Sequence, residues 1–290
     1  MSIQSLISLG FTISIFLGVL AVGLRVAPAD LHYLLDQPSK LVRSLFAMNV
    51  VAPIVAVMVC KTFSLHPAVI VALLTLAIAP VGALFSQAML PRVTPGRFAY
   101  ARGLFFANIV LSVVLTPLTV ELIQLIFGGD VHVDPLTVAK VVIGSVLLPL
   151  GIGFATAQWW PAARRWNSPI QTVSSVVLAV CFVALLAFAW SHLSSVVWEG
   201  TLMAITVMTL IGLAIGHCLG GPGEDDRTVL AFATVSRHPG VAMAVATLTD
   251  QPLAPIGVLL AVVVSEIGAV PYELWRKRRR ATGPTAPPIR

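Results

Sequence analysis

The sequence predicts an all-α integral membrane protein of about nine transmembrane helices, two of them discontinuous. Three observations carry this. Of 290 residues, 58% are hydrophobic and 10% charged, with a mean hydropathy of +0.95, too apolar for a soluble domain of this size. Apolar runs of about 20 residues, the length that spans a bilayer core, recur along the chain between short loops. Two of these runs are interrupted by proline and glycine.

The runs place helices near 5–24, 41–60, 67–87, 99–126, 136–158, 169–191, 197–219, 228–249 and 253–274. An odd count puts the termini on opposite sides. A cytoplasmic carboxyl terminus collects Arg25, Lys40, Arg43, Arg92, Arg97, Arg102, Arg164, Arg165, Arg227, Arg276, Lys277, Arg278, Arg279, Arg280 and Arg290 on one face, 15 of the 18 basic residues. Lys61 and Lys140 fall at the other face, and Arg237 lies within the membrane. The expected placement is therefore multi-pass in the inner (cytoplasmic) membrane, amino terminus outside and carboxyl terminus inside.

The first run is not a signal peptide, although Ala27-Pro28-Ala29 mimics a cleavage site: it is too long, and no positive charge precedes it. The net charge of +6 does not indicate nucleic acid, because the basic residues are spread between apolar runs. Cys60, Cys181 and Cys218 lie in apolar runs without ligand spacing and read as small buried hydrophobes; we expect neither metal nor cofactor. Residues 1–280 form one transmembrane domain, and the Pro-rich residues 281–290 are expected to be a disordered cytoplasmic tail.

The sharpest feature is Ser236-Arg237-His238-Pro239-Gly240 at the midpoint of the eighth run. Pro239 removes a backbone donor and disfavours helix in His238, and Gly240 tolerates the dihedrals that follow, so two half-helices should meet here. A guanidinium at this depth survives only facing a partner, water or a ligand. In the third run Ala79-Pro80-Val81-Gly82 marks a second break, at Pro80 and Gly82. Paired interruptions in two halves, about 5–126 and 136–275, point to a midplane site between inverted repeats.

Few polar residues lie at membrane depth. Asn108, Ser112 and Thr116 recur at i+4 and share one face, able to ligate a cation or simply to bond backbone across packed helices. Glu266, in mid-helix, is either the counter-charge of Arg237 or a proton-carrying group. His238 is either a proton relay or a donor to carbonyls freed by the break. Nothing suggests an enzyme: there is no His-Glu-x-x-His, no paired aspartates, and no nucleophile with a base.

These residues resemble the bile acid:sodium symporter family. The likeness runs through F-L-G-V-L-A-V-G-L-R-V-A-P-A-D-L-H-Y-L-L-D-Q-P, N-V-V-A-P-I-V-A, A-P-V-G-A-L-F-S, A-N-I-V-L-S-V-V-L-T and D-R-T-V-L-A-F-A-T-V-S-R-H-P-G-V-A-M-A-V-A. It implies two crossed discontinuous helices in a core domain and a panel domain that moves against it, with the family's first helix absent. The departures are as informative. Where the family's first break has sodium-binding Ser and Asn, this chain has Phe85 and Ser86; where its second has Glu and Gln ligands, this chain has Ala233 and Arg237, with His238 for the Asn. A family glutamine falls near Met48. Ser112 and Thr116, with Ser86, are a thin remnant of a shell that hard cations need in full, and Arg237 becomes a tethered cation in sodium's place.

The function so implied is secondary transport of a small organic anion across the lipid bilayer by alternating access, without the two-sodium coupling, protons being the alternative ion. Substrate contacts are expected from Arg237, His238, Gly240, Asn108, Ser86 and Glu266. The rival is a non-transporting membrane receptor or scaffold on the same fold.

Overall fold

In the computed structural model, residues 3–82, 98–127, 134–197 and 200–282 are described. They are mostly helical: α1 (Ile3–Arg25), α2 (Pro28–Leu35), α3 (Pro38–Thr62), α4 (Pro67–Ile78), α5 (Phe98–Phe127), α6 (Pro135–Trp159), α7 (Asn167–Val196), α8 (Thr201–Leu219), α9 (Glu224–Val235), α10 (Pro239–Ala246) and α11 (Ala254–Thr282). Prolines start many of them. Pro28, Pro38, Pro67, Pro135 and Pro239 each occupy the first position, where the missing N–H would have no partner anyway. Asp134 caps α6 by accepting from the Leu136 and Thr137 amides at 3.3 and 3.0 Å.

Six helices among the described residues are long and apolar enough to cross a membrane; Leu9–Arg25 and Pro67–Ile78 are shorter apolar helices. The chain is thus an all-α multi-pass membrane protein. Nine spans remains an expectation, because the other three rest on these shorter helices and on α9 and α10, which are separate. Two boundaries move. The last helix runs through the basic segment to Thr282, so Ala281 and Thr282 are helical, while 283–290 lie outside the described residues. Cys218 is exposed, unlike the buried Cys60 and Cys181.

Two groups of helices form. One is a layer of α1, α6 and α7. Here Gly23 and Gly153 let α1 and α6 touch backbone to backbone: a Cβ on Gly153 would lie 2.3 Å from the Leu20 carbonyl. Small residues at the seam suit a membrane, where lipid tails are as apolar as leucine and close packing must drive association. In the other group α3, α4, α8 and α11 surround the α9–α10 junction. α5 shows the lipid logic plainly: Val110, Val114, Leu118 and Leu122 are exposed at i+4 steps, while Asn108, Ser112 and Thr116 are buried on another face.

Basic residues gather at one end of the bundle. Arg102 makes a two-pronged pair with Asp30 at 2.8 and 2.9 Å, Lys40 pairs with Asp226 at 2.7 Å, and Arg276 with Glu224 at 3.0 Å. The bond from Arg276 holds the Glu224 carboxyl below its ordinary range. At the opposite end Lys61 sits over the Phe127 ring, 4.3 Å from its centroid.

Candidate functional site at the helix crossing

The helix interruption at 236–238 is present, and the end of α4 meets it; residues beyond Gly82, where the other half of the predicted first break would lie, are outside the described residues. α4 ends at Ile78 and the chain turns extended at Ala79; α9 ends at Val235 and α10 restarts at Pro239. The intervening segments cross antiparallel, Val81 opposite Arg237. The Gly82 amide donates to the Ser236 carbonyl at 3.0 Å, and the His238 amide to the Pro80 carbonyl at 2.8 Å. Two pieces of irregular backbone thus satisfy each other where no water can. Glycine is required at position 82, since a Cβ there would lie 2.9 Å from the Arg237 carbonyl oxygen.

The remaining freed groups are met by side chains. Asn108 accepts from the Val81 amide at 2.9 Å and donates to Asn49 at 3.1 Å. Thr116 donates to the Ile78 carbonyl at 3.1 Å. Ser112, in the same row, bonds the Ile109 carbonyl of its own helix at 2.7 Å. The aligned polar face therefore serves backbone.

Arg237 is buried, 7% exposed. Its Nε donates to the Thr234 carbonyl at 3.1 Å, Nη1 to Ala79 at 3.1 Å and Nη2 to Met48 at 2.5 Å. These acceptors come from three elements, α9, the first break and α3. The Met48 carbonyl is free for a sequence reason. Residues Ala47–Val51 form a π-turn in which the Ala52 amide bonds Ala47, and Pro53, five residues beyond Met48, has no N–H to offer. No ion pair joins Arg237 to Glu266: each is described, and Glu266 has neither ion pair nor hydrogen bond among the described residues. Of the two sequence expectations for Glu266, counter-charge or proton carrier, the counter-charge is not formed here; the guanidinium is held by carbonyls.

Three cavities border the crossing. Arg237 and Glu266 line one of about 50 Å³ with Thr209, Ser236 and Ser265. His238 lines one of about 20 Å³ with Ser14, Gln171 and Ser174, and its Nδ1 has no hydrogen-bond partner among the described residues. Gly240 lines the largest, about 400 Å³, between α1, α6 and α7 on one side and α10 and α11 on the other. Its wall is apolar, with hydroxyls from Thr12, Ser145 and Thr247. Sequence reading missed these three because a lone hydroxyl in an apolar helix gives no signal. Ser86 and Phe85 lie outside the described residues.

A family model, the Sodium Bile acid symporter family, matches residues 12–218. This chain belongs to that family. The symporter family match covers more than two thirds of the chain and ends just before α9, so the break carrying Arg237 lies beyond it. No individual curated protein matches significantly. Membership makes the chain a symporter-like membrane transporter, with the crossing built from α4 and α9–α10.

Proposed function

We propose that the protein is a secondary transporter that moves a small organic anion across the cytoplasmic membrane by alternating access, without the sodium coupling its family name implies. The observation that carries this reading is Arg237 in the grip of three backbone carbonyls. Carbonyls converging in a buried site are what a monovalent hard cation would seek, and here a permanent guanidinium occupies them. The charge that sodium would bring and remove in each cycle is instead fixed to the chain.

The cavity of about 400 Å³ is the substrate compartment. It is large enough for an organic acid, and the amino end of α10, with its positive dipole and Gly240 at the wall, favours a carboxylate. It lies between the α1–α6–α7 layer and the crossing bundle, where relative motion of the two would expose it to either side. Arg237 lines the smaller cavity and acts through its field and by holding the crossing, while Gly240 faces the substrate.

The gathering of basic residues at the ends of α1 and α11 supports a cytoplasmic carboxyl terminus and an outside amino terminus. The test is uptake of a panel of organic carboxylates into proteoliposomes, with and without a sodium gradient. Sodium-independent uptake of one class is expected. Strict dependence on sodium sinks the coupling part, and ligand binding without any uptake turns the protein into a receptor.

A further inference from the structure

We propose that Glu266 is a proton-binding site whose loading and unloading accompanies transport; this rests on the transporter reading for its coupling role, though not for its existence. Glu266 is the thirteenth residue of the 26-residue span Ala254–Arg279, so it sits at mid-depth. It is exposed, on the same stripe as Val263, Ile267, Val270 and Leu274, which face outward along α11. A carboxylate on that stripe meets hydrocarbon, and it has no ion pair or hydrogen bond among the described residues. An ionised carboxylate so placed is too costly to persist, whereas the neutral acid is tolerated.

The same residue also borders the cavity of about 50 Å³, beside Arg237, Thr209 and Ser265. That volume holds a few waters. Of the five N–H groups of a guanidinium, Arg237 spends three on carbonyls, leaving two. Glu266 thus borders two environments: hydrocarbon, which favours the acid, and a polar pocket lined by a fixed positive charge, which favours the carboxylate.

The charged groups near it are Arg237, which lines the same cavity, and Glu273, two turns along α11 and itself paired with Lys277. α8 presents Thr209 and Met208, α9 presents Thr234, and α3 and α4 present apolar side chains. The described part of α7 that packs on α11, and α10, carry no charged side chain. The step is a single proton equilibrium: the carboxylate takes one proton from water in the pocket and returns it when the pocket next opens, with no change in electrons.

The experiment uses dicyclohexylcarbodiimide, an apolar reagent that modifies protonated carboxyls at membrane depth, on the full chain in lipid, read by peptide mass spectrometry. Modification of Glu266 is expected at acid pH, falling at least tenfold at alkaline pH, and absent from Glu266→Gln. No modification at any pH, or modification that ignores pH, overturns the proposal. In proteoliposomes an imposed pH gradient is expected to drive uptake by the wild type, and the residual uptake of Glu266→Gln is expected to ignore the gradient. A variant still driven by the gradient places the proton elsewhere and overturns it too. If no carboxylate is transported at all but Glu266 is labelled in the expected pH-dependent way, the transporter reading fails and the proton site stands.

Discussion

At the first helix break the freed backbone is served by neutral side chains reaching across from α5, Asn108 to Val81 and Thr116 to Ile78. At the second, it is served by a cation carried inside the break itself, Arg237, which also ties down Ala79 of the first break and Met48 of α3. One break is a recipient and the other a provider. The crossing is therefore not symmetric: its electrostatic centre belongs to the second half of the chain. The difference also predicts that substitutions at the second break spread further, because Arg237 closes three elements where Asn108 closes two.

The largest expected effect is therefore Arg237→Ala. It strands three buried carbonyls at ~1–3 kcal/mol each, so a loss of about 3–9 kcal/mol is expected where the costs add, read as a fall in melting temperature of roughly 10 °C or more. Arg237→Lys keeps the charge but not the planar fork and should recover only part. Added methylguanidinium should raise the melting point of Arg237→Ala and leave the wild type unmoved. A variant as stable as wild type would show that the three bonds are incidental.

Next comes Asn108→Ala, which orphans the Val81 amide and the Asn49 oxygen together. The expected cost is roughly 2–4 kcal/mol, against about 1 kcal/mol for Thr116→Val, which strands one carbonyl. Thermal or chemical denaturation of both variants checks the order. Equal losses would mean that the first break does not depend on Val81 being fixed.

Third, Gly82→Ala pushes a methyl to within 2.9 Å of the Arg237 carbonyl. Neither backbone can yield without straining the paired bonds at 3.0 and 2.8 Å, so a loss of about 1–3 kcal/mol is expected. Ser236→Ala, on the facing strand, should stay within about 0.5 kcal/mol, because the Ser236 side chain only lines the small cavity. If both behave alike, the crossing is looser than its geometry implies.

Much of this was legible in the residues. Pro80 with Gly82, and Pro239 with Gly240, declared the breaks through backbone chemistry alone, and Arg237 declared itself by its cost at that depth. What could not be read was the pairing of Val81 with Arg237, because periodicity assigns each residue to a face of its own helix and says nothing of which irregular segment crosses which. The partners of Arg237 are hidden for a related reason. A sequence displays carboxylates and hides carbonyls, so it leaves Glu266 open as counter-charge or proton carrier, while the free carbonyl of Met48 depends on a π-turn and on Pro53 five residues later. The i+4 row of Asn108, Ser112 and Thr116 was correctly placed on one face, but whether those oxygens serve an ion or the backbone is decided by what lies opposite.

The smallest expected effect is the one that sharpens the comparison most: sodium should change nothing. A ligand that binds only the folded state stabilises it by mass action, by about 2.7 kcal/mol at a hundred times its dissociation constant. A working sodium site would therefore announce itself as a thermal shift absent with potassium. In this chain the carbonyls at the crossing already accept from Arg237, and Asn108 and Thr116 are committed to Val81 and Ile78. No shift is expected for the wild type. Arg237→Ala empties the carbonyl cluster of its cation, so any sodium-specific stabilisation should appear there first, and a shift seen in wild type but lost in Arg237→Ala would reverse the roles of the two breaks.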